Sequence, residues 1–318
     1  MQGQVASLLA LQTRARMNYF IRAFFRARGV LEVETPYLSQ AGNTDPMIES
    51  AHVALNQQPR YLHTSPEYPM KRLLAAGVGD CYQLCKVWRA DEVGRRHNPE
   101  FTLLEWYRVG FSYQQLMVET IDLLSGLLPI DPARIQQRSY ADCFLEKWQI
   151  NPHIASQAEL QTIIQHEALS IVGELDRQAM LDVLMTHYIE PSFSKNTLTL
   201  VYDYPATQAA LATVQANSDC AGDYAVAQRF EVYWGELELG NGYQELTDAA
   251  KNRQVLTQEQ DYRQQQGQYN MPKDEAFLTA METMPKAAGI AIGVDRVLMA
   301  MLQKSSIDEV ISIAWDNA

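Results

Sequence analysis

The chain has 318 residues, 47% apolar and 20% charged, the composition of a globular protein with a core of ordinary size. No apolar run approaches the ~18 residues of a membrane span, and the N-terminus lacks a charged segment followed by an unbroken apolar run, so neither a membrane protein nor a leader is expected. The net charge of −12 is uneven, with 13 Lys/Arg and 10 Asp/Glu in residues 1–110 against 13 and 28 in 111–318; this excludes a broad nucleic-acid surface and leaves a mildly basic first third suited to a small anion.

Residues 6–28 predict an amphipathic helix, with Leu8, Leu9, Leu11, Met17, Phe20, Ile21, Phe24 and Phe25 at roughly helical spacing and Gly29 as its stop. VLEVETP predicts a short strand ended by Pro36. A short helix is expected from Pro66 to about Ala76. The strand CYQLCKVWRA, the polar loop DEVGRRHNPE and the returning strand FTLLEWYRV then form a long-looped hairpin. Cys81 and Cys85 share one face of that strand; with Cys143 and Cys220 they show no zinc-type spacing and are expected as buried free thiols in a reducing, cytoplasmic protein.

Residues 112–190 predict helices capped at Ser112, Ser139 and Ser156, the clearest being LDRQAMLDVLMTHYIEP. Residues 197–204 and 228–247 return to strand, and DAAKNRQVLTQEQDYRQQQG predicts a polar surface helix. The end holds a Gly-rich turn, AAGIAIGVDR, before the apolar helix VLMAML. Without βαβ regularity, a mostly antiparallel sheet with helices is favoured.

Three segments carry chemistry. In WRADEVGRRHNPEF, Arg89 can hold a phosphate in fork geometry and Phe101 can stack on a base; a solvated charged loop is the plainer reading. In RFEVYWGELELGNGYQELTDA, Glu231 and Glu238 fall on one face only if WGE is a turn, and Glu238 and Glu245 only if GNG is one. Such acidic pairs hold Mg²⁺ against a triphosphate, or are ordinary strand-edge carboxylates. In GIAIGVDRVLMA, glycines permit close approach of a ligand, and Arg296 at the head of an apolar helix needs an anionic partner, either a triphosphate or Asp295.

In this order the segments resemble the signature motifs of class II aminoacyl-tRNA synthetases: GVLEVETPYL, with Pro36, resembles motif 1, residues 88–107 motif 2 and residues 289–300 motif 3. RHNPEFTLLEWY, ELGNGYQELTDA and TSPEYPMKRLL are similar to the lysyl-tRNA synthetase branch, over nearly the whole chain. The resemblance implies one α+β catalytic domain over residues 1–318, a mostly antiparallel sheet flanked by helices, with a mainly helical insertion at about 112–196, acting as a homodimer. It implies that Arg89 and Arg296 are catalytic and grip the phosphates of ATP. Ala90, Asp91, Asn98, Phe101, Glu238, Leu239 and Gly293 would complete the nucleotide site, Asp91 standing where the family usually has glutamate. Glu231 and Glu238 would bind Mg²⁺. The amino-acid pocket would be lined by Ser65, Pro66, Glu67, Glu105, Tyr107, Asn241, Glu245 and Ala291, with Glu245 and Tyr107 receiving a side-chain ammonium and Glu67 the other amino group.

Two departures narrow this further. The motif 1 helix begins almost at Met1, so no anticodon-binding domain is expected, and Ala291 replaces the middle glycine of motif 3. Both resemble the truncated lysyl-tRNA synthetase paralogs that modify translation elongation factor P, as do the SPEY segment and the ending EVISIAWDNA. That resemblance implies ATP-dependent activation of (R)-β-lysine as its adenylate and ligation to a lysine ε-amino group of elongation factor P, without tRNA or membrane. The Ala291 methyl is expected to bias the pocket toward the β-amino isomer. A truncated synthetase acting on tRNA or another small acceptor, and a non-catalytic amino-acid-binding paralog, stay open as alternatives.

Overall fold

The computed structural model describes residues 5–169, 173–219 and 222–318. Residues 1–4, the start of the N-terminal stretch read for a leader, and Cys220 lie outside them. In chain order the first elements are helix α1 (Leu8–Ala27), strands β1 (Leu31–Glu32), β2 (Leu38–Ser39), β3 (His52–Leu55) and β4 (Gln58–Leu62), and helix α2 (Glu67–Ala75). Strands β5 (Cys81–Trp88) and β6 (Glu100–Val109), helix α3 (Tyr113–Leu127), strand β7 (Ile135–Ser139) and helices α4 (Tyr140–Trp148), α5 (Gln157–His166) and α6 (Arg177–Leu184) follow. The chain continues with β8 (Leu198–Pro205), β9 (Val214–Asp219), β10 (Gly222–Trp234), β11 (Leu237–Gln244), α7 (Ala249–Gln265), α8 (Glu275–Ala280), β12 (Ala287–Gly293) and α9 (Val294–Leu302).

These elements form two compact units, one of residues up to Pro129 together with Glu245–Ala318, the other Ile130–Gln244. The stretch 112–196 is divided between them, α3 going with the first unit. Pairing is mostly antiparallel and helices flank the strands, an α+β arrangement as expected.

In the first unit β5 and β6 pair antiparallel, β12 joins β6 antiparallel, and β1 lies parallel to β5. Alternation along these strands sorts the sequence into two faces. One carries Tyr82, Trp106, Ile290 and Ile292 into the core: Phe25 of α1 stacks on Tyr82 with centroids 4.4 Å apart, and Trp106 donates to Glu119 of α3 at 3.0 Å. The opposite face carries Cys81, Cys85, Phe101, Leu103, Glu105, Tyr107, Gly289, Ala291 and Gly293.

Helix α1 starts at Ser7, whose side chain accepts from the Ala10 N–H at 3.2 Å, and ends where Gly29 takes φ +68. Its inward stripe is Ala10, Met17, Ile21, Phe24 and Phe25, whereas the expected Leu8, Leu9 and Leu11 point outward. The clearest correction is Ala287–Gly293, expected as a turn and found as strand β12. Glycine there does not bend the chain. It keeps one strand face low, while Ile290 and Ile292 fill the core on the other.

In the second unit β10 pairs antiparallel with β8, β9 and β11, and β7 runs parallel to β8. The three expected caps are present as capping boxes, Ser139 with Asp142 and Ser156 with Glu159 in this unit and Ser112 with Gln115 at α3 in the first. Residues 135–139 are strand rather than helix, and LDRQAMLDVLMTHYIEP passes from α6 through a π turn at Met185–Ile189. Tyr140, Phe144, Leu160, Leu181, Leu184 and Phe193 pack with Val201, Tyr204 and Tyr233 as this unit's core. Cys81, Cys85 and Cys143 are buried free thiols, as expected; burial pushes Cys85 up to about 12. No helix among the described residues is long and apolar enough to cross a membrane.

Candidate active site

The start of α2 builds a carboxylate-rich pocket in the first unit. Ser65 and Pro66 lead into the helix, and the Ser65 hydroxyl accepts from the Glu67 N–H at 3.0 Å while donating to Glu105 at 2.6 Å. Tyr107 donates to the other Glu105 oxygen at 2.5 Å, so its hydroxyl is turned toward Glu105. One helical turn beyond Glu67 stands Lys71, fully buried, its ammonium 2.6 Å from both Glu67 Oε1 and Glu245 Oε2. The fold thus brings Ser65, Glu67, Glu105, Tyr107 and Glu245 together from α2, β6 and the residue after β11. Lys71 was not anticipated; its only sequence signal was the four-residue spacing from Glu67. A cavity of about 530 Å³ reaches Ser65 and Glu67 and is lined also by Gln40, Asn43, Arg72 and Lys273.

Glycine supplies the close approach. A Cβ at Gly289 would lie 2.4 Å from Glu245 Oε1 and 2.4 Å from Tyr107 Cε1. Ala291, two residues on and opposite Glu105, packs on Cys85, Val87 and Leu103 with Phe101 beside it.

Three carboxylates around one lysine leave the pocket electronegative. Burial, then the charge of Glu67, pushes Glu105 up to about 7 against its two hydroxyl donors. Burial also raises Glu245, with Lys71 opposing and Glu67 adding. Burial alone would lower Lys71, but Glu245 and Glu67 outweigh it and hold it well above its ordinary value. A cation needs the ionised carboxylates, so amino-acid affinity should increase as pH rises from 6 to 8. The ligand-free protein should behave oppositely. A carboxyl raised on folding contributes stability that is complete below its unfolded value near 4.5 and is lost as pH rises through about 7. Melting curves between pH 5 and 8, with and without the amino acid, check both signs; flat amino-acid affinity across this range would contradict the assignment.

The second cluster lies at the loop end of the β5–β6 hairpin. Arg89 follows β5, its Nη1 3.0 Å from Glu92 Oε1, its Nε donating to Thr64 O at 3.4 Å, and its guanidinium 5.2 Å from the Phe101 ring centroid. Arg296, in the first turn of α9, donates to Arg96 O at 3.4 Å and lies 2.5 Å from His97 Nε2. Burial, then Arg296, lowers His97, which accepts as a neutral ring; Glu92 Oε2 is 3.9 Å away. Arg89, Glu92, His97 and Arg296 therefore form one chain of contacts.

Asp295 is not the partner of Arg296. It pairs with Arg14 of α1 and accepts from the Thr102 N–H at 2.6 Å. Ala90 donates its N–H to Glu49 O at 2.9 Å, and Asp91 is exposed in the following turn. Asn98 is buried, donating to Glu100 O at 2.6 Å and accepting from the Trp315 N–H at 3.1 Å. Gly293 closes β12 opposite Leu103 and caps α9.

In the second unit, WGE does form a turn, at Gly235, and the register places Glu231 opposite Asn241 and Glu238 opposite Tyr233, so the two carboxylates share a face. GNG is not a turn: Gly240 and Gly242 lie within β11 opposite Val232 and Phe230. Glu231 accepts from Arg229 at 2.5 Å, from Tyr204 at 2.7 Å and from Tyr233. Asn241 accepts from Arg229 at 3.1 Å, and Leu239 is buried. Among the described residues no group of three or more His, Cys, Asp or Glu side chains is arranged to hold a metal ion. Two carboxylates fit Mg²⁺ only as an ion that takes its remaining oxygens from a bound triphosphate and water.

Known proteins resemble this chain over nearly its whole length. Residues 5–315 match the family described as tRNA synthetases class II (D, K and N). The chain is 43% identical over 317 residues to the elongation factor P--(R)-beta-lysine ligase of Klebsiella pneumoniae (strain 342), covering 97% of this chain and 95% of that one. It is 41% identical to the protein of the same name from Avibacterium paragallinarum and 40% to that from Pectobacterium atrosepticum, each over 98% of this chain and 97% of the relative. The chain belongs to the class II tRNA synthetase (D, K and N) family and, within it, to the group of elongation factor P--(R)-beta-lysine ligases.

Proposed function

We propose that this protein uses ATP to activate (R)-β-lysine and joins it to the ε-amino group of a lysine on translation elongation factor P. The observation that carries the reading is the ordering of one face of β6. Phe101, beside Arg89, and then Glu105 and Tyr107 point the same way, so a guanidinium pair and a carboxylate pocket lie along one strand, Phe101 and Glu105 being about 13 Å apart at roughly 3.3 Å per residue. That suits an extended ligand with phosphates at one end and ammonium groups at the other.

In the first step the carboxylate oxygen of the amino acid bonds to the α-phosphorus, and pyrophosphate leaves. In the second, the acceptor lysine nitrogen bonds to the carbonyl carbon, the bond to the phosphate oxygen breaks, AMP leaves and the amine loses a proton. Neither step needs a nucleophilic side chain. Arg89 and Arg296 hold the phosphates and offset charge that develops in the first step. Glu67, Glu105 and Glu245 orient the two ammonium groups, with Tyr107 and Ser65 positioning Glu105. Glu231 and Glu238 are the residues that would hold Mg²⁺, which supplies charge neutralisation on the triphosphate. The Ala291 methyl, on the same strand face as Glu105, would favour the β-amino isomer. Cytoplasmic location, a homodimer and independence of tRNA belong to the same reading.

Mass spectrometry of elongation factor P after incubation with this protein, ATP, Mg²⁺ and either (R)-β-lysine or α-lysine tests it. One added β-lysyl group is expected, insensitive to tRNA and saturating with the acceptor protein. Robust tRNA charging with no mass shift would replace it by the synthetase alternative.

A further inference from the structure

We propose that helix α7, through its buried Arg263 and the segment 43–49, is a positioning element for Arg89. The proposal rests on the reading of Arg89 as an ATP ligand. Helix α7 is polar along its length, yet Arg263 is 0% exposed. A guanidinium is buried only when its donors are met. Here Nε donates to Tyr269 O at 2.9 Å, Nη1 to Asp45 O at 2.9 Å and Ile48 O at 3.4 Å, and Nη2 to the Glu49 carboxylate. Two of these acceptors, Asp45 O and Ile48 O, are backbone carbonyls of the segment, so Arg263 fixes its course as well as meeting the Glu49 charge. One turn earlier on the same helix, Glu259 accepts from the Thr44 hydroxyl at 2.5 Å.

The segment held in this way reaches Arg89 by two routes. Glu49 O accepts the N–H of Ala90, the next residue, at 2.9 Å. Asn43 donates to the Thr64 hydroxyl at 3.1 Å, and Thr64 O accepts from Arg89 Nε at 3.4 Å. The backbone after Arg89 thus rests directly on the segment that α7 holds, and its guanidinium does so through Thr64 and Asn43, the neighbour of Thr44. Arg263 makes these contacts with a planar fork that lysine cannot reproduce.

The test uses the full chain with Mg²⁺, comparing wild type with Arg263→Lys and Glu49→Gln. The first keeps the charge but loses the fork; the second weakens the ion pair and leaves the Glu49 carbonyl in place. ATP binding is measured by calorimetry, and the KM values for ATP and for the amino acid come from pyrophosphate exchange on protein whose melting curve shows it folded. Displacement of a reacting-site group by about 1 Å costs on the order of a hundredfold, so ATP KM and Kd should rise at least about tenfold in Arg263→Lys, with amino-acid KM within about twofold, and less in Glu49→Gln. Unchanged ATP binding in folded Arg263→Lys, or equal rises for both substrates in either variant, overturns the proposal. Should Arg263→Lys not fold, Glu49→Gln decides by the same ATP-against-amino-acid split. A wild type that binds no ATP overturns the reading of Arg89 itself, and the proposal with it.

Discussion

Replacing Arg296 by alanine should lower amino-acid-dependent ATP–pyrophosphate exchange by about a hundredfold or more while leaving the fold intact. Arg296 contacts the carbonyl of Arg96 and the ring of His97, both in the loop between β5 and β6. The neighbouring buried carboxylate, Asp295, is paired with Arg14 and loses no partner in the variant. The cost therefore falls on the transition state, where loss of one positioned charge contact is worth on the order of 3 kcal/mol. Exchange rates and melting temperature measured together check this. Exchange that survives the substitution would remove Arg296 from the phosphate site.

Gly289→Ala is expected to cost about as much, at the other end of the pocket. The new methyl would sit 2.4 Å from both Glu245 Oε1 and Tyr107 Cε1, closer than side chains approach. Neither neighbour is loose: Glu245 is 2.6 Å from Lys71, and Tyr107 donates to Glu105 at 2.5 Å. Strand β12 cannot slide away, since Gly289 pairs with Tyr107 and the flanking Ala288 and Ile290 are buried. A shift of the carboxylate by about 1 Å should reduce kcat/KM for the amino acid roughly a hundredfold, with ATP KM little changed. Overpacking should also cost about 1–3 kcal/mol of stability, read from denaturant unfolding. Normal amino-acid kinetics in the alanine variant would mean that Glu245 and Tyr107 are not held against the substrate.

By itself the sequence determined what depends on neighbours along the chain. The capping boxes at Ser112, Ser139 and Ser156 need only a hydroxyl and a partner three residues on, and all three form. Two strand-like runs on either side of a polar loop sufficed for the hairpin, and alternation along one strand for the shared face of Cys81 and Cys85, because both are local. The order of the three motif-like segments sufficed for the family.

Tertiary structure decided the rest. Glycines at 289 and 293 suggested a turn, since composition registers backbone freedom but not that two isoleucines between them face a core. Asp295 could not be assigned to Arg14, 281 residues away, until α1 and α9 were packed. Lys71 lies one turn from Glu67, yet its second carboxylate, Glu245, arrives only when the chain returns after β11. The raised Glu105 has the same origin: a carboxyl loses its preference for ionisation through burial and through a second carboxylate beside it, and both are consequences of which strands and helices are brought together.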